Sequence, residues 1–134
     1  MVQYRRRKQD WSPRGRAPGD PLWPKFVDSY LETAVWAGLQ EDTDREYDAT
    51  DFSPEAVAKA IGDSNDFILA NQADLESVGN EAMHGHDFYL TRSRHGTGFW
   101  DRGYGPAGER LSEAARAYGS ADVYVGDDRQ LHFG

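Results

Sequence analysis

Apolar side chains recur every three or four residues in three stretches of this chain, the spacing that places them on one face of an α-helix. The stretches predict helices over residues 21–39, 53–76 and 104–119. Pro24 and Pro54 fall where the first turns of two of these helices would lie, a position that tolerates proline because its backbone N–H has no helical partner. The three helices should supply most of the core.

Alternating apolar residues predict strands in two further places. Phe88 and Leu90 lead into a polar, glycine-containing segment and then Phe99, which predicts a β-hairpin over residues 86–102 that follows a loop at 77–85. Residues 123–133 contain a second alternation around a Gly-Asp-Asp turn. The predicted order is two helices, a hairpin, a third helix and a C-terminal hairpin, so we expect an α+β fold with a small antiparallel sheet.

Length and charge divide the 134-residue chain into a basic arm and an acidic body. Residues 1–20 carry six basic and two acidic side chains, and their prolines, glycines and few apolar residues predict a flexible arm. Residues 21–134 carry nine basic and 21 acidic side chains, a net charge of −12, and are expected to form one domain. The body should repel nucleic acid, whereas the arm could contact it weakly through Arg5, Arg6, Arg7 and Lys8.

Several classes of protein are disfavoured by what the sequence lacks. It contains no cysteine, which excludes disulfides and thiolate catalysis and is typical of a cytoplasmic protein. No stretch approaches the roughly 20 apolar residues of a membrane span, so no membrane association is expected. No cofactor-binding motif is evident, since Gly96-Thr97-Gly98 alone is a weak signal, and no cofactor is expected.

Acidic residues alternate through residues 41–51 in a pattern that partly matches a calcium loop. Tyr47 occupies the position that needs glycine, however, and Ser53 stands where a bidentate glutamate is required. A solvated connector is therefore favoured. A different possibility is that this acidic segment imitates DNA phosphates towards a basic host protein.

Polar and aromatic residues crowd the predicted 86–102 hairpin, which makes it the candidate recognition surface. Guanidinium groups there would bind anions, an imidazole would form hydrogen bonds, and an indole would make apolar or stacking contacts. Two residues would support the loop from behind, and Asp101 would pair with an arginine. The candidate binding residues are Arg92 and Arg102 for anions, His95, Trp100, the supporting His86 and Asp87, and Asp101.

A histidine cluster gives a competing interpretation, a metal-dependent hydrolase. In a strand, His84 and His86 would point to the same face, and His95 could approach from across the hairpin. Three imidazole nitrogens with an open position would suit zinc and could activate water. The spacing is not that of a helical His-x-x-x-His motif, so a non-enzymatic binding protein is favoured.

The order of residues from Gly85 to Gly103, GHDFYLTRSRHGTGFWDRG, resembles a family of small uncharacterised accessory proteins of bacteriophages and related mobile elements. Similarity extends over residues 27–133 and includes the segments YLETAVW and YVGDD. This chain has Ser93-Arg94 where the family usually has an Asn-Gly turn, which makes its loop more basic. The resemblance implies a protein made in an infected bacterial cytoplasm that acts on a host process or defence system. Together with the arginines and aromatic residues of the segment, it predicts binding to a host protein or to a small anionic or nucleotide-like ligand.

Overall fold

The computed structural model describes residues 20–39, 43 and 45–134. The basic arm, including Arg5, Arg6, Arg7 and Lys8, thus lies outside the described residues except for Asp20, as do residues 40–42 and 44 of the acidic segment. The helices are α1 (Pro24–Thr33), α2 (Pro54–Ala70), α3 (Gln72–Ser77), α4 (Glu81–Arg92) and α5 (Pro106–Arg116). The strands are β1 (Val123–Val125) and β2 (Leu131–Phe133), and short 3-10 turns cover Ala49–Asp51 and Phe99–Asp101.

The α+β class is confirmed in coarse form, as a mostly helical structure with one antiparallel hairpin near the C-terminus. Strands β1 and β2 pair in the register Val123↔Phe133, Tyr124↔His132 and Val125↔Leu131. Single parallel bridges from Leu39 to Val123 and from Phe52 to Leu131 tie the hairpin to the helical part. The C-terminal hairpin prediction is therefore correct.

The predicted 86–102 hairpin is wrong, because its first half belongs to helix α4. The helix begins in the predicted 77–85 loop, where the Asn80 side chain accepts a hydrogen bond from the Met83 N–H at 2.9 Å. Glu81 in the first turn complements the helix dipole. This N-cap pair was the overlooked sequence signal.

Helix α4 lacks a clear helical period because it is buried on most of its sides. From His84 to Arg92, every residue except the half-buried His86 is buried, so the Phe88–Leu90 alternation does not mark one face. Gly85 lets α4 approach α1 closely, since a Cβ atom there would collide with the backbone carbonyl of Phe26.

The three predicted helices are present with altered limits. The first ends in a π-helical turn over Ala34–Gly38, and the second is interrupted at Asn71, which separates α2 from α3. The third begins at Pro106 and ends at Arg116. Within the described part of the chain, no helix has both the length and the apolar character needed to cross a membrane.

Aromatic rings form the centre of the core, where α1, α2 and α4 meet. The Phe88 ring stacks on Phe67 with centroids 4.2 Å apart and packs against Phe26 at 5.8 Å. Tyr30 meets Tyr89 edge to face at 5.3 Å. These contacts fix α4, and with it the point at which the chain leaves the helix.

Candidate anion-binding pocket

The candidate pocket is built by the loop that follows α4. The Arg94 N–H donates to the Thr91 carbonyl, and the His95 N–H donates to the Leu90 carbonyl, so the last turn of α4 closes on itself. Arg94 and Gly96 then take positive φ angles of 58° and 68°. These left-handed residues reverse the chain and send it back along α4.

Two contacts hold the returning segment against α4, and a third fixes the turn within it. The Phe99 N–H donates to the Thr91 hydroxyl at 3.2 Å. Arg102 donates to the carboxylate of Asp87, which lies one helical turn before Thr91 on α4. The Asp101 carboxylate accepts the Gly98 N–H at 3.1 Å and caps the Phe99–Asp101 turn. Phe99 is fully buried, whereas its neighbour Trp100 remains 51% exposed. The turn therefore holds the Trp100 indole at the surface.

A concavity of about 190 Å³ lies between this segment and the end of α5. Trp100 forms part of its lining, and His95 lies with its ring nearly parallel to Tyr89, at 20° and a centroid distance of 6.2 Å. The lining residues, which we call the loop pocket, are Leu90, Thr91, Arg94, His95, Gly96, Thr97, Trp100 and Arg116.

The loop pocket carries positive charge that its own domain does not neutralise. Among the described residues, neither the Arg94 nor the Arg116 side chain makes a hydrogen bond or ion pair, and the Gly96 N–H also has no partner. Other basic side chains of this acidic body are paired with aspartates: Arg45, Lys59, Arg92, Arg102 and Arg110. Two arginines without partners in one concavity are therefore a distinctive feature of this surface.

Arg92, which the sequence assigned to anion binding, is directed into the protein and is 3% exposed. Its guanidinium donates to the Gly119 carbonyl at 2.7 Å, the Tyr118 carbonyl at 3.1 Å and the Asp63 carboxylate at 2.8 Å. A further hydrogen bond reaches the Tyr30 hydroxyl at 3.1 Å. Burial opposes its charge, but Tyr30 and Asp63 hold the pKa of Arg92 above its usual range. Arg92 is thus a structural residue, because α4 turns this side chain inward.

Arg102, Asp87 and His86 come together away from the loop pocket, in a group we call the Asp87 cluster. The buried Asp87 carboxylate receives both Nε and Nη2 of Arg102 at 2.9 Å, and the hydrogen bond raises the pKa of Arg102. His86 Nδ1 lies 3.1 Å from the same carboxylate. The His86 ring faces Trp36 at 5.9 Å, on the π-helical turn. The sequence expected His86 and Asp87 to support a hairpin loop from behind; in the structure both lie on α4, and Asp87 holds the returning segment through Arg102.

The histidine metal site of the competing interpretation is not formed by the described residues. His84 and His86 are two residues apart on a helix, so they point in different directions, unlike residues of a strand. The His84 ring is buried, with Nε2 2.8 Å from the Leu75 carbonyl and 2.7 Å from the Val78 carbonyl, while His95 lines the loop pocket. Within the described ranges, no three His, Asp or Glu side chains are placed to hold a metal ion together.

Sequence reasoning missed Arg116 and undervalued Arg94 and Trp36. Arg116 lies in the last turn of α5, where a basic residue is favoured by the helix dipole, so its sequence position alone does not suggest a ligand site. Trp36 is 65% exposed on a π-helical turn, a feature that often marks functional positions. The spatial neighbours of Arg116 and Trp36 cannot be identified from sequence spacing.

Two other concavities have less suitable linings for an anion. One of about 570 Å³ follows α5 and contains Glu109 and Glu113 beside Arg110, which is paired with Asp74. The other, of about 480 Å³, lies on the C-terminal hairpin, where His132 is paired with Asp128. Carboxylates thus contribute to both linings but not to that of the loop pocket.

Comparisons with family models, with characterised proteins and with solved structures found no match to this chain. The resemblance to bacteriophage accessory proteins, and the host setting that it implies, therefore remain predictions.

Proposed function

We propose that this protein is a non-enzymatic binding protein whose loop pocket takes up a small phosphorylated ligand. One observation carries the proposal: Arg94 and Arg116, which have no partner among the described residues, line the same concavity in a body with net charge −12. Guanidinium groups form paired hydrogen bonds with phosphate oxygens and stay charged at all physiological pH values.

The remaining lining supports an anion through neutral donors. Gly96 lines the pocket, its N–H has no partner among the described residues, and a Cβ atom added to it would meet nothing within 4 Å, so its surroundings are open to a ligand. The Thr97 hydroxyl and the His95 imidazole provide further hydrogen-bonding groups. Binding is favoured over catalysis because, in the described part of the chain, no carboxylate contacts His95 to orient it as a general base.

A structural explanation for the two arginines competes with this proposal. Both lie at or just beyond the C-terminal turns of helices, where cations offset the negative end of the dipole by about 0.3–1 kcal/mol. That effect accounts for a basic residue at either place. It does not account for their convergence on one pocket with His95 and Trp100.

The test is titration calorimetry with ribose 5-phosphate and AMP on wild type and on the double variant Arg94→Gln/Arg116→Gln. We expect the wild type to bind at least one ligand and the double variant to bind it at least about tenfold more weakly, since a hydrogen bond to a charged group contributes about 1.5–3 kcal/mol. Lys25→Gln/Arg110→Gln removes the same total charge elsewhere and should retain binding. Equal affinities in wild type and Arg94→Gln/Arg116→Gln, or no binding of either ligand, would contradict the proposal.

The wider setting follows the resemblance and is a prediction of its own. A phage-type accessory protein could act on a host by withdrawing a small anionic ligand or by contacting a host protein. DNA mimicry by residues 41–51 also remains a prediction, and its test is a steep loss of partner binding with salt that survives the arginine substitutions.

A further inference from the structure

We infer that the ligand of the loop pocket is a mononucleotide with a terminal phosphate, whose base stacks on Trp100. This inference rests on the proposed function, because it assumes that Arg94 and Arg116 hold the phosphate. It adds a second recognition element and a charge requirement. The size of the pocket, the exposure of the Trp100 ring and the charge of the two arginines support it.

The size of the pocket restricts what it can enclose. Its volume of about 190 Å³ is below the roughly 300–1,000 Å³ of pockets that enclose a drug-sized ligand. A nucleotide is a drug-sized molecule, so one whose phosphate meets Arg94 and Arg116 would leave its base at the opening of the pocket. The outer part of the ligand would therefore lie on the rim, where Trp100 offers its exposed ring.

The turn that carries Trp100 is fixed at both ends, and the exposed indole is not filling the core. The buried side chain of Phe99 anchors the turn on one side, and the Arg102–Asp87 pair anchors it on the other. The Asp101 carboxylate caps the turn between them. A ring presented from an anchored turn has less conformational freedom to lose on binding, and stacking of one base on it should strengthen binding about tenfold.

Charge selects a terminal phosphate and a short ligand. A phosphate monoester carries close to two negative charges above its second pKa of about 6, which matches two guanidinium groups, whereas a diester carries one. A longer nucleic acid would place further phosphates against a body of net charge −12. The arrangement thus favours a single nucleotide over an oligonucleotide.

The experiment compares AMP, ribose 5-phosphate and 3′,5′-cyclic AMP on wild type and on tryptophan variants, again by calorimetry at pH 7.5. In wild type, AMP should bind about tenfold more tightly than ribose 5-phosphate, which lacks the base, and more tightly than the cyclic diester. Trp100→Leu should abolish the advantage of AMP over ribose 5-phosphate, and Trp100→Phe should retain part of it. Trp36→Leu removes another exposed indole, one that does not line the pocket, and should leave the affinities for all three ligands unchanged.

The outcomes separate this inference from the proposed function. Equal affinity of wild type for AMP and ribose 5-phosphate, with both lost in Arg94→Gln/Arg116→Gln, would overturn the nucleotide inference and leave phosphate binding in place. An AMP preference that survives in Trp100→Leu would also overturn it. If no phosphorylated probe bound, both the nucleotide inference and the proposed function would be contradicted.

Discussion

Arg92 and Arg94 are two residues apart in the sequence, yet they lie in opposite environments. The Arg92 guanidinium is buried and donates to groups on α1, α2 and the segment after α5. Arg94 is exposed, and within the described structure its side chain has no partner. The end of α4 lies between them, and the positive φ of Arg94 marks the change of direction. Residue type alone therefore says little about function at this site, since the position of the helix end determines which arginine can meet a ligand.

The largest expected effect is the difference in stability between the Arg92→Gln and Arg94→Gln variants. Arg92→Gln should lower the free energy of unfolding by about 3 kcal/mol, because it removes a buried charged donor from the Tyr30 hydroxyl and from the less buried acceptors of Gly119, Tyr118 and Asp63. Arg94→Gln should change it by no more than about 0.5 kcal/mol. Urea denaturation followed by circular dichroism measures both. Similar losses for the two variants would contradict the contrast between a buried and an open arginine.

The sequence predicted the elements whose apolar residues follow one face. The C-terminal hairpin follows such a pattern, and so do α1, α2 and α5, although the limits of the three helices differ from the predicted ones. Helix α4 was missed because burial on most sides removes the period that marks an amphipathic helix. The adjacent glycine and histidines resemble a loop in composition, whereas Gly85 serves a close helix crossing.

A pair of helical glycines tests that explanation of α4. Gly85→Ala should lower the melting temperature by several degrees, corresponding to about 1–3 kcal/mol, because its Cβ would collide with the Phe26 backbone. Gly62→Ala, in α2, should raise the melting temperature, because the free energy of unfolding should increase by about 1 kcal/mol. No atom lies within 4 Å of the added methyl group, and alanine favours the helix. Thermal unfolding measures both, and a neutral Gly85→Ala would show that α1 and α4 are less tightly apposed.

For the candidate site, the sequence predicted the segment that contains it but not which side chains line the pocket. His95 and Trp100 do line one pocket, as their shared segment suggested. Arg92 and Arg102 do not, because their partners Asp63 and Asp87 are brought to them by tertiary packing and by a helix that the sequence pattern did not reveal. Arg116 lines the pocket from a different helix, α5, and no spacing rule connects it to residues 94–100.

The smallest expected effect concerns a third kind of arginine, one that is exposed and paired. The Arg110 guanidinium holds the pKa of Asp74 below its usual value of about 3.9 through two hydrogen bonds of 2.9 and 2.7 Å. A carboxylate whose pKa is lowered in the folded state contributes stability above its unfolded pKa and loses that contribution as the pH falls through the folded pKa. Wild type should thus be slightly more stable than Arg110→Gln at pH 7, and the difference should vanish towards pH 2.

The same titration separates this exposed pair from the buried one. Arg92→Gln should remain strongly destabilised at low pH, because the Gly119 and Tyr118 carbonyls that it deprives of a donor do not titrate. Urea midpoints of the three proteins between pH 7 and pH 2 give the comparison. If the Arg110→Gln difference persisted at pH 2, the Arg110 side chain would stabilise α5 through packing along its stem and not through the carboxylate of Asp74. If the Arg92→Gln difference disappeared there, Asp63 would be its main partner, and the carbonyl contacts would contribute little.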